Sequence, residues 1–440
     1  MSSDQNGTYN STNIATTREL WSWAFYDFAN SGYTTVVLTT IYSAYFVGVI
    51  AADIEASSPG TGTLLWTLCI ATANFFVLLS APVIGAIADY TASKKKFLLV
   101  STILCVTSTA ALATAGPGQL WLAMPLLVIS AIAFASGENL IAAFLPEIAD
   151  SGKMGRVSGW GWSLGYFGGL LTLGTCLAYI TWASGQEQSA AQYVPVTLLI
   201  TAAIFALAAF PTFQWLRERA VPRPLLSASS YVSAGFQEVF RTLADAARLK
   251  DLFRFLLCLT LFQAGVATVI VIAAIYAQEV MGFDSQQLIV LIMVVNLTAA
   301  IGAFLFGFLQ DRFGSVPSLA GALLVWIVAG VIAVSADSTA AFWLAGNLIG
   351  LAMGATQAGG RALVGEFTPV ERTAEFFGLW GLAARAANIV GPLSYGVINR
   401  LSDGDHRLAI LSTLSFFVAG LILLFTVNEQ RGREAAHGHQ

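Results

Sequence analysis

The chain has 440 residues, of which 56% are hydrophobic and only 10% are charged. A soluble domain carries about 25% charged residues and does not need many apolar runs of about 20 residues, so the composition excludes a soluble protein and indicates a polytopic membrane protein. The formal net charge of −4 decides little, because the distribution of charge matters more than its sum in such a chain.

Apolar runs divide the chain into two halves of six predicted spans each. Residues 1–17 are polar and lack an apolar signal-peptide core, so we predict a disordered tail there. The predicted spans cover residues 21–50, 64–88, 97–115, 120–145, 158–181, 194–213, 252–277, 288–308, 317–334, 340–363, 373–398 and 408–427. The pattern predicts an all-α membrane protein with twelve transmembrane helices in two six-helix bundles, residues 18–213 and 252–428.

A polar linker at residues 214–251 separates the halves, and residues 235–249 within it could form an amphipathic helix on the membrane surface. All but Arg361, Arg385, Arg400 and Arg407 of the 21 Lys and Arg residues lie on or beside the linker side of the predicted spans. The positive-inside rule therefore predicts that the linker and both termini, including a short polar tail at 429–440, are cytoplasmic. We expect a multi-pass protein of the inner (plasma) membrane, with the lipid bilayer as its surroundings.

The first span begins with a polar stripe. Asp27, Asn30 and Thr34 fall at positions i, i+3 and i+7, so they share one helical face. A polar stripe on a membrane helix turns away from lipid. Two interpretations remain open: a face of a transport cavity, or an interfacial Asp with hydrogen bonds between helices.

A loop motif follows the second span and recurs after the eighth. Gly85 and Asp89 precede three lysines, and Gly307 and Asp311 precede Arg312. The glycine permits close approach of helices, and the aspartate can accept hydrogen bonds from the first turn of another helix. We predict that Asp89 and Asp311 cap the helices of spans eleven and five and latch the cytoplasmic side; the alternative is that they only hold a static turn. The residues assigned to gating are Gly85, Asp89, Gly307, Asp311 and Arg312.

A charged stretch in the fourth span also recurs in the second half. Glu138 and Asn139 lie within the fourth span, where a carboxylate costs about 2.5 kcal/mol or more unless it faces a cavity or a partner. The alternative is a Glu close enough to the membrane face to reach water. Arg361 occupies the corresponding position about 223 residues later, with a glycine, a phenylalanine and a proline aligned around it. Related halves with polar residues at corresponding depths are expected of a secondary transporter.

We predict that the glycines and cysteines of the apolar runs are packing residues. Gly161, Gly165 and Gly169 recur every fourth residue of the fifth span, which predicts close helix crossing. The four cysteines have no pairing pattern and are predicted to be reduced core residues.

The sequence lacks the motifs that other classes of membrane protein would need. The three histidines lie outside the predicted spans, so we predict neither an intramembrane metal site nor a cofactor. The sequence has no GxxxxGK[ST] motif for a primary pump and no paired nucleophile and base for a membrane enzyme. We expect no nucleic-acid partner.

The glycine–aspartate loops in a layout of six plus six spans resemble the major facilitator superfamily. The first loop departs from the family pattern, because Tyr90 replaces a basic residue and Ala92 a glycine. Several segments look like the branch of autophagy-related vacuolar amino-acid effluxers and their bacterial relatives; they are Trp23-Ala-Phe-Tyr-Asp27-Phe-Ala-Asn30-Ser, Phe144-Leu-Pro-Glu147, Ser158-Gly-Trp-Gly-Trp-Ser-Leu-Gly-Tyr166 and Gly391-Pro392. The resemblance implies a transporter, and more weakly an exporter of neutral amino acids.

The same resemblance implies that spans one, four, seven and ten line a central cavity. The candidate substrate-binding or coupling residues are then Asp27, Asn30, Glu138, Asn139, Gln263, Gln357 and Arg361, with Arg385 and Asn388 of span eleven added as an intramembrane cation and its neighbour. Arg385 needs an anion, which Glu138, Asp27 or a substrate carboxylate would supply.

We predict alternating access with a small-molecule substrate and a coupling ion, for which the proton is favoured. Arg361 or Arg385 would hold a substrate carboxylate and Asp27 or Glu138 an ammonium group. Glu138 or Asp27 would carry the proton, because burial disfavours a charged carboxylate. The alternatives are a proton-coupled exporter of drugs or sugars, against which a charged pair of Glu138 with Arg361 argues, and a non-transporting membrane sensor.

Overall fold

The computed structural model describes residues 15–58, 61–222, 240, 249–279, 281–283, 285–401 and 406–437. The predicted N-terminal tail and the predicted amphipathic helix at 235–249 lie largely outside these residues. All regular structure in the described part is helical. We call the helices before the linker the N-terminal half and those after it the C-terminal half.

The helices of the N-terminal half follow the predicted spans closely. They are α1 (Thr17–Tyr33), α2 (Ile41–Tyr45), α3 (Ala52–Ser57), α4 (Thr61–Thr91), α5 (Lys94–Leu112), α6 (Leu120–Ala142), α7 (Leu145–Ile148), α8 (Met154–Ser184) and α9 (Ala190–Trp215). A capping box starts α1, because Thr16 accepts from the Glu19 amide while Glu19 accepts from the Thr16 amide.

The helices of the C-terminal half are α10 (Lys250–Glu279), α11 (Ser285–Phe313), α12 (Ser315–Ser335), α13 (Thr339–Glu366), α14 (Thr373–Leu401), α15 (His406–Leu424) and α16 (Glu429–His437). Ten helical segments of the described chain are long and apolar enough to cross a membrane, and a pair bent by 69°, Thr413–Leu424 with Glu429–Ala436, would make eleven. The helix α14 is 29 residues long but falls outside these ten, and it carries Glu375 and Arg385. The predicted number of twelve spans therefore stays a prediction.

The first span, predicted at residues 21–50, covers Thr17–Ile50 in the structure but is not one regular helix. After α1 it widens to a π-helix at Thr34–Thr39, breaks at Thr40, and widens again at Phe46–Ile50. A π-turn leaves backbone carbonyls without their usual partners. The hydroxyl groups of Thr39 and Thr40 donate to the carbonyl of Thr35 at 2.9 and 2.5 Å and so stabilise the break.

The C-terminal tail is polar as predicted, but its described part is an ordered helix. Glu429 at the start of α16 accepts from the amides of Ser315 and Val316 at 2.9 and 3.1 Å, which caps α12. Arg433 of the same helix bonds Glu366 at 2.8 Å. These contacts fix α16 to the ends of α12 and α13.

The end of the N-terminal half makes a contact like the one that Glu429 makes with α12. Glu218 follows α9 and accepts from the amides of Lys94 and Lys95 at 2.7 and 3.2 Å, so it caps α5 as Glu429 caps α12. Burial raises the pKa of Glu218, while the two amide bonds oppose that shift. An acid that follows the last long helix of each half therefore caps the third long helix of the same half.

Candidate functional site

The hydrogen bonds described between the two halves lie between the middle of the helices and one end of the molecule. We call this end the linker side; it contains the start of α1, the end of α9 and the start of α10. Two lines of contact, α4 with α14 and α8 with α11, join the halves there.

Both lines of contact depend on glycine. A Cβ added at Gly378 of α14 would lie 2.7 Å from the carbonyl oxygen of Ala81 in α4. On the other line, a Cβ at Gly159 of α8 would lie 2.5 Å from the carbonyl oxygen of Ala303 in α11. Backbones this close leave no room for any side chain.

The predicted loop glycines are part of these two lines. Gly85 packs against the backbone of Ala374, and Gly307 against the backbone of Gly155. We call the two lines the glycine seams.

The α4–α14 seam ends at Asp89. Its Oδ2 accepts a hydrogen bond of 2.9 Å from the amide of Glu375, the third residue of α14. Lys94 is fully buried beside it, where its Nζ bonds Glu147 and donates to the hydroxyl of Thr373 at 2.6 Å. Lys94 is therefore a cation of the N-terminal half that also bonds the C-terminal half.

The α8–α11 seam ends at Asp311 in the same way. Both of its carboxylate oxygens lie 3.2 Å from the amide of Arg156, the third residue of α8, and the Arg156 side chain adds an ion pair at 3.4 Å. These are the two contacts that the loop motif predicts, while their role in gating stays a prediction. Arg312, also assigned to gating, is exposed and lies over the ring of Phe313, and it makes no described ion pair.

Farther from the linker side than the Asp311 contact, Arg361 of α13 crosses the interface and contacts the N-terminal half. Its Nη1 donates to Asp27 Oδ2 at 2.7 Å, its Nε to the hydroxyl of Ser158 at 3.0 Å, and its Nη2 to the carbonyl of Ser158 at 2.9 Å. The guanidinium carbon lies 4.7 Å from the ring centre of Trp23 and 5.5 Å from that of Trp162. Only 3% of the Arg361 side chain is exposed.

The glycine stripe of α8 makes room for α1 and for this ion pair. A Cβ at Gly165 would press on Ser31 of α1, and a Cβ at Gly169 would press on Thr35 of the π-helix that follows α1. A Cβ at Gly161 would collide with both carboxylate and guanidinium atoms of the Asp27–Arg361 pair. The stripe predicted close crossing, and the structure adds that Gly161 leaves space for buried charges.

A second ion pair between the halves lies farther from the linker side than the Asp89 contact. Arg385 Nη2 of α14 donates to Glu138 Oε2 of α6 at 3.0 Å. The exposed fraction is 14% for the arginine side chain and 31% for the glutamate side chain, so this pair is more accessible than the Asp27–Arg361 pair. In both pairs the acid belongs to the N-terminal half and the base to the C-terminal half.

The pairing differs from the expected charged pair of Glu138 with Arg361, whereas Glu138 is one of the anions that we expected for Arg385. These two residues occupy corresponding positions in the two halves, but the halves present them to different seams. Arg361 therefore meets Asp27, and Glu138 meets Arg385.

The remaining predicted residues are spread over several surfaces. Asn30 is buried on α1. Gln263 and Gln357 bond each other at 3.0 Å within the C-terminal half. Asn388 is exposed one turn beyond Arg385. Asn139 of α6 packs on Gly381 of α14. It points away from Glu138, because consecutive helical residues point about 100° apart.

Sequence reasoning missed Ser158, Lys94, Glu147 and the two tryptophans as parts of this interface. Ser158, Trp162 and Glu147 stood in the segments that carried the family resemblance, but nothing in their spacing indicated a partner. Among the described residues, no group of three or more His, Cys, Asp or Glu side chains is placed to hold a metal ion.

Solved structures identify the fold. The human organic anion transporter MFSD10 is similar with a TM-score of 0.72 at 18% identity, covering 92% of this chain and 99% of that one. The proton:xylose symporter XylE is similar with a TM-score of 0.72 at 13% identity, covering 97% of this chain and 98% of that one. These likenesses show that the helical halves have the fold of the major facilitator superfamily.

A family model described as "Vacuole effluxer Atg22 like" matches residues 63–437, and the chain belongs to this family. An uncharacterised transporter of the major facilitator type, YxiO of Bacillus subtilis (strain 168), is 28% identical over 96% of this chain and 97% of that protein. Autophagy-related protein 22 of Yarrowia lipolytica is 24% identical over 71% of this chain, which spans only 57% of that longer protein.

Proposed function

We propose that this chain exports neutral amino acids in exchange for protons by alternating access. The two ion pairs that join acids of the N-terminal half to bases of the C-terminal half carry the proposal. A zwitterion needs a cation for its carboxylate and an anion for its ammonium group. The acids of one half and the bases of the other supply both.

The same pairs supply a coupling mechanism. Protonation of Asp27 or Glu138 removes the anion from a pair that holds the linker side closed, while the arginine stays charged. The linker side then opens. A proton taken up on the far side thus returns an empty carrier to the state that loads the next solute.

Orientation follows from the basic residues of the linker side. The positive-inside rule favours a cytoplasmic linker and cytoplasmic termini. The described state, closed on the linker side, is then the one that faces away from the cytoplasm. We propose the inner (plasma) membrane as its location, and no enzymatic activity.

Uptake by reconstituted proteoliposomes tests the proposal. We expect radiolabelled neutral L-amino acids to accumulate when a pH gradient is imposed, and to exchange in counterflow without a gradient. Xylose, an organic anion and a cationic drug serve as comparators. Transport of a comparator in place of every amino acid would contradict the substrate assignment, and the absence of counterflow for all solutes would contradict a carrier and favour a sensor.

A further inference from the structure

The arginines of the two ion pairs differ in how fully their donors are used. Arg361 engages all three guanidinium nitrogens, with Asp27 and with the hydroxyl and carbonyl of Ser158, and two indole rings flank it. A ligand could bind Arg361 only after several of these contacts broke. The geometry is that of a fixed joint between the halves.

Arg385 is held at a single point. Its one described hydrogen bond runs from Nη2 to Glu138, while Nε is buried without a partner among the described residues and Nη1 has no described hydrogen bond. A guanidinium carries five N–H donors in a fork that suits the two oxygens of a carboxylate. Most of this fork therefore has no described acceptor, at a site that remains partly exposed.

Glu138 is likewise the less restricted of the two acids. Its side chain is 31% exposed, against 11% for Asp27, and Arg385 is its only described hydrogen-bond partner. A carboxylate with open acceptor positions can accept from an ammonium group.

We propose that the Glu138–Arg385 pair is the zwitterion site, in which the solute inserts its carboxylate against Arg385 and its ammonium group against Glu138. Asp27 and Arg361 then form the joint and do not bind the solute. This inference rests on the proposed function. It chooses one cation and one anion among the combinations that the sequence left open.

The site also explains why a proton and a solute exclude each other. Protonated Glu138 has no negative charge to offer an ammonium group, so a proton on Glu138 weakens binding of the zwitterion. Exclusive occupancy of one site by proton or solute is the requirement for exchange of the two.

Analogues that lack one charged group test the assignment on the reconstituted full chain. L-alanine, L-leucine and L-tyrosine are each compared as competitors with the corresponding amide and with the corresponding acid that lacks the amino group. Wild type should prefer the amino acid over both analogues by about 10- to 100-fold, since a hydrogen bond to a charged group contributes that much to affinity.

Each variant should remove one preference only. Arg385→Gln should abolish discrimination between amino acid and amide, and Arg385→Lys should restore part of it. Glu138→Gln should abolish discrimination against the deaminated acid. Asp27→Asn should slow transport and keep both preferences. Arg254→Gln, which removes an exposed cation at the start of α10, serves as the matched control and should change neither.

The outcomes separate this inference from the proposed function. If no amino acid competes in wild type, the proposed function and this site fall together. If amino acids compete but Arg385→Gln keeps the preference over the amide, or Asp27→Asn removes a preference, the site assignment is wrong and the carrier proposal stands. If Arg385→Gln does not fold, two other results would overturn the assignment. One is that wild type accepts amides as well as it accepts amino acids, and the other is that Glu138→Gln still rejects the deaminated acids.

Discussion

Replacing Asp27 by Asn should open the linker side, because it leaves Arg361 as a buried cation without a counter-charge. The arginine keeps its two bonds to Ser158, and the Asn keeps the shape of the lost carboxylate. Breaking a buried ion pair by removing one partner costs about 3–5 kcal/mol, and we take about 3 here because these contacts persist. That free energy changes the ratio of closed to open states by about 150-fold. An open state populated at about 1% would become the major one.

Spin-label distances across the linker side measure this ratio. Lys153 and Glu434 are exposed, belong to opposite halves and take no part in the proposed site, so cysteines introduced there can carry the labels. The four native cysteines are buried and should label poorly. Asp27→Asn should shift the distance distribution from a short to a long component.

The control for this experiment is Asp53→Asn, the same chemical change at an exposed residue of α3. An unchanged distribution in folded Asp27→Asn protein would refute the reasoning that the pair holds the linker side closed. An equal shift in the Asp53 control would refute it as well.

The other predictions address coupling, the glycine seams and the helix caps. Glu138→Gln should lose the dependence of transport on an imposed pH gradient while exchange at saturating solute persists, and normal gradient-driven accumulation would remove Glu138 from the coupling role. Gly378→Val should cost the closed state about 1–3 kcal/mol through overpacking and lengthen the linker-side distance, whereas Gly321→Val, where a Cβ meets open space, should not; equal behaviour of the two would contradict the seam. Asp89→Ala and Asp311→Ala should each weaken the closed state by about 1 kcal/mol, the usual cost of losing a helix cap to Ala. A change in thermal stability without any change in the distance distribution would favour a static turn.

Local features of the interface could be predicted from the sequence. The loop motif placed an aspartate after the second span of each half, and helix dipoles explain why each aspartate contacts the start of a helix. The cost of charge in lipid identified Asp27, Glu138, Arg361 and Arg385 as residues that must face protein or water.

Which acid meets which arginine across the interface could not be settled from the sequence. The face of a helix that a residue occupies follows from its position in the chain, but the residue that it meets depends on how two helices are rotated and shifted against each other. Sequence therefore identified four charges without showing that Asp27 pairs with Arg361. The break at Thr40 was also not predicted, because a run of threonines is as compatible with a regular helix as with a broken one.

Alternating access requires the two halves to open and close opposite sides in turn, and paired distances on both sides of the membrane test this most directly. Labels at Lys153 and Glu434 report on the linker side, and labels at the exposed Gln186 and Ser335 report on the far side. Lowering the pH should lengthen the linker-side distance and shorten the far-side distance in the same sample. Two distances that stay constant, or that lengthen together, would contradict alternating access by this molecule.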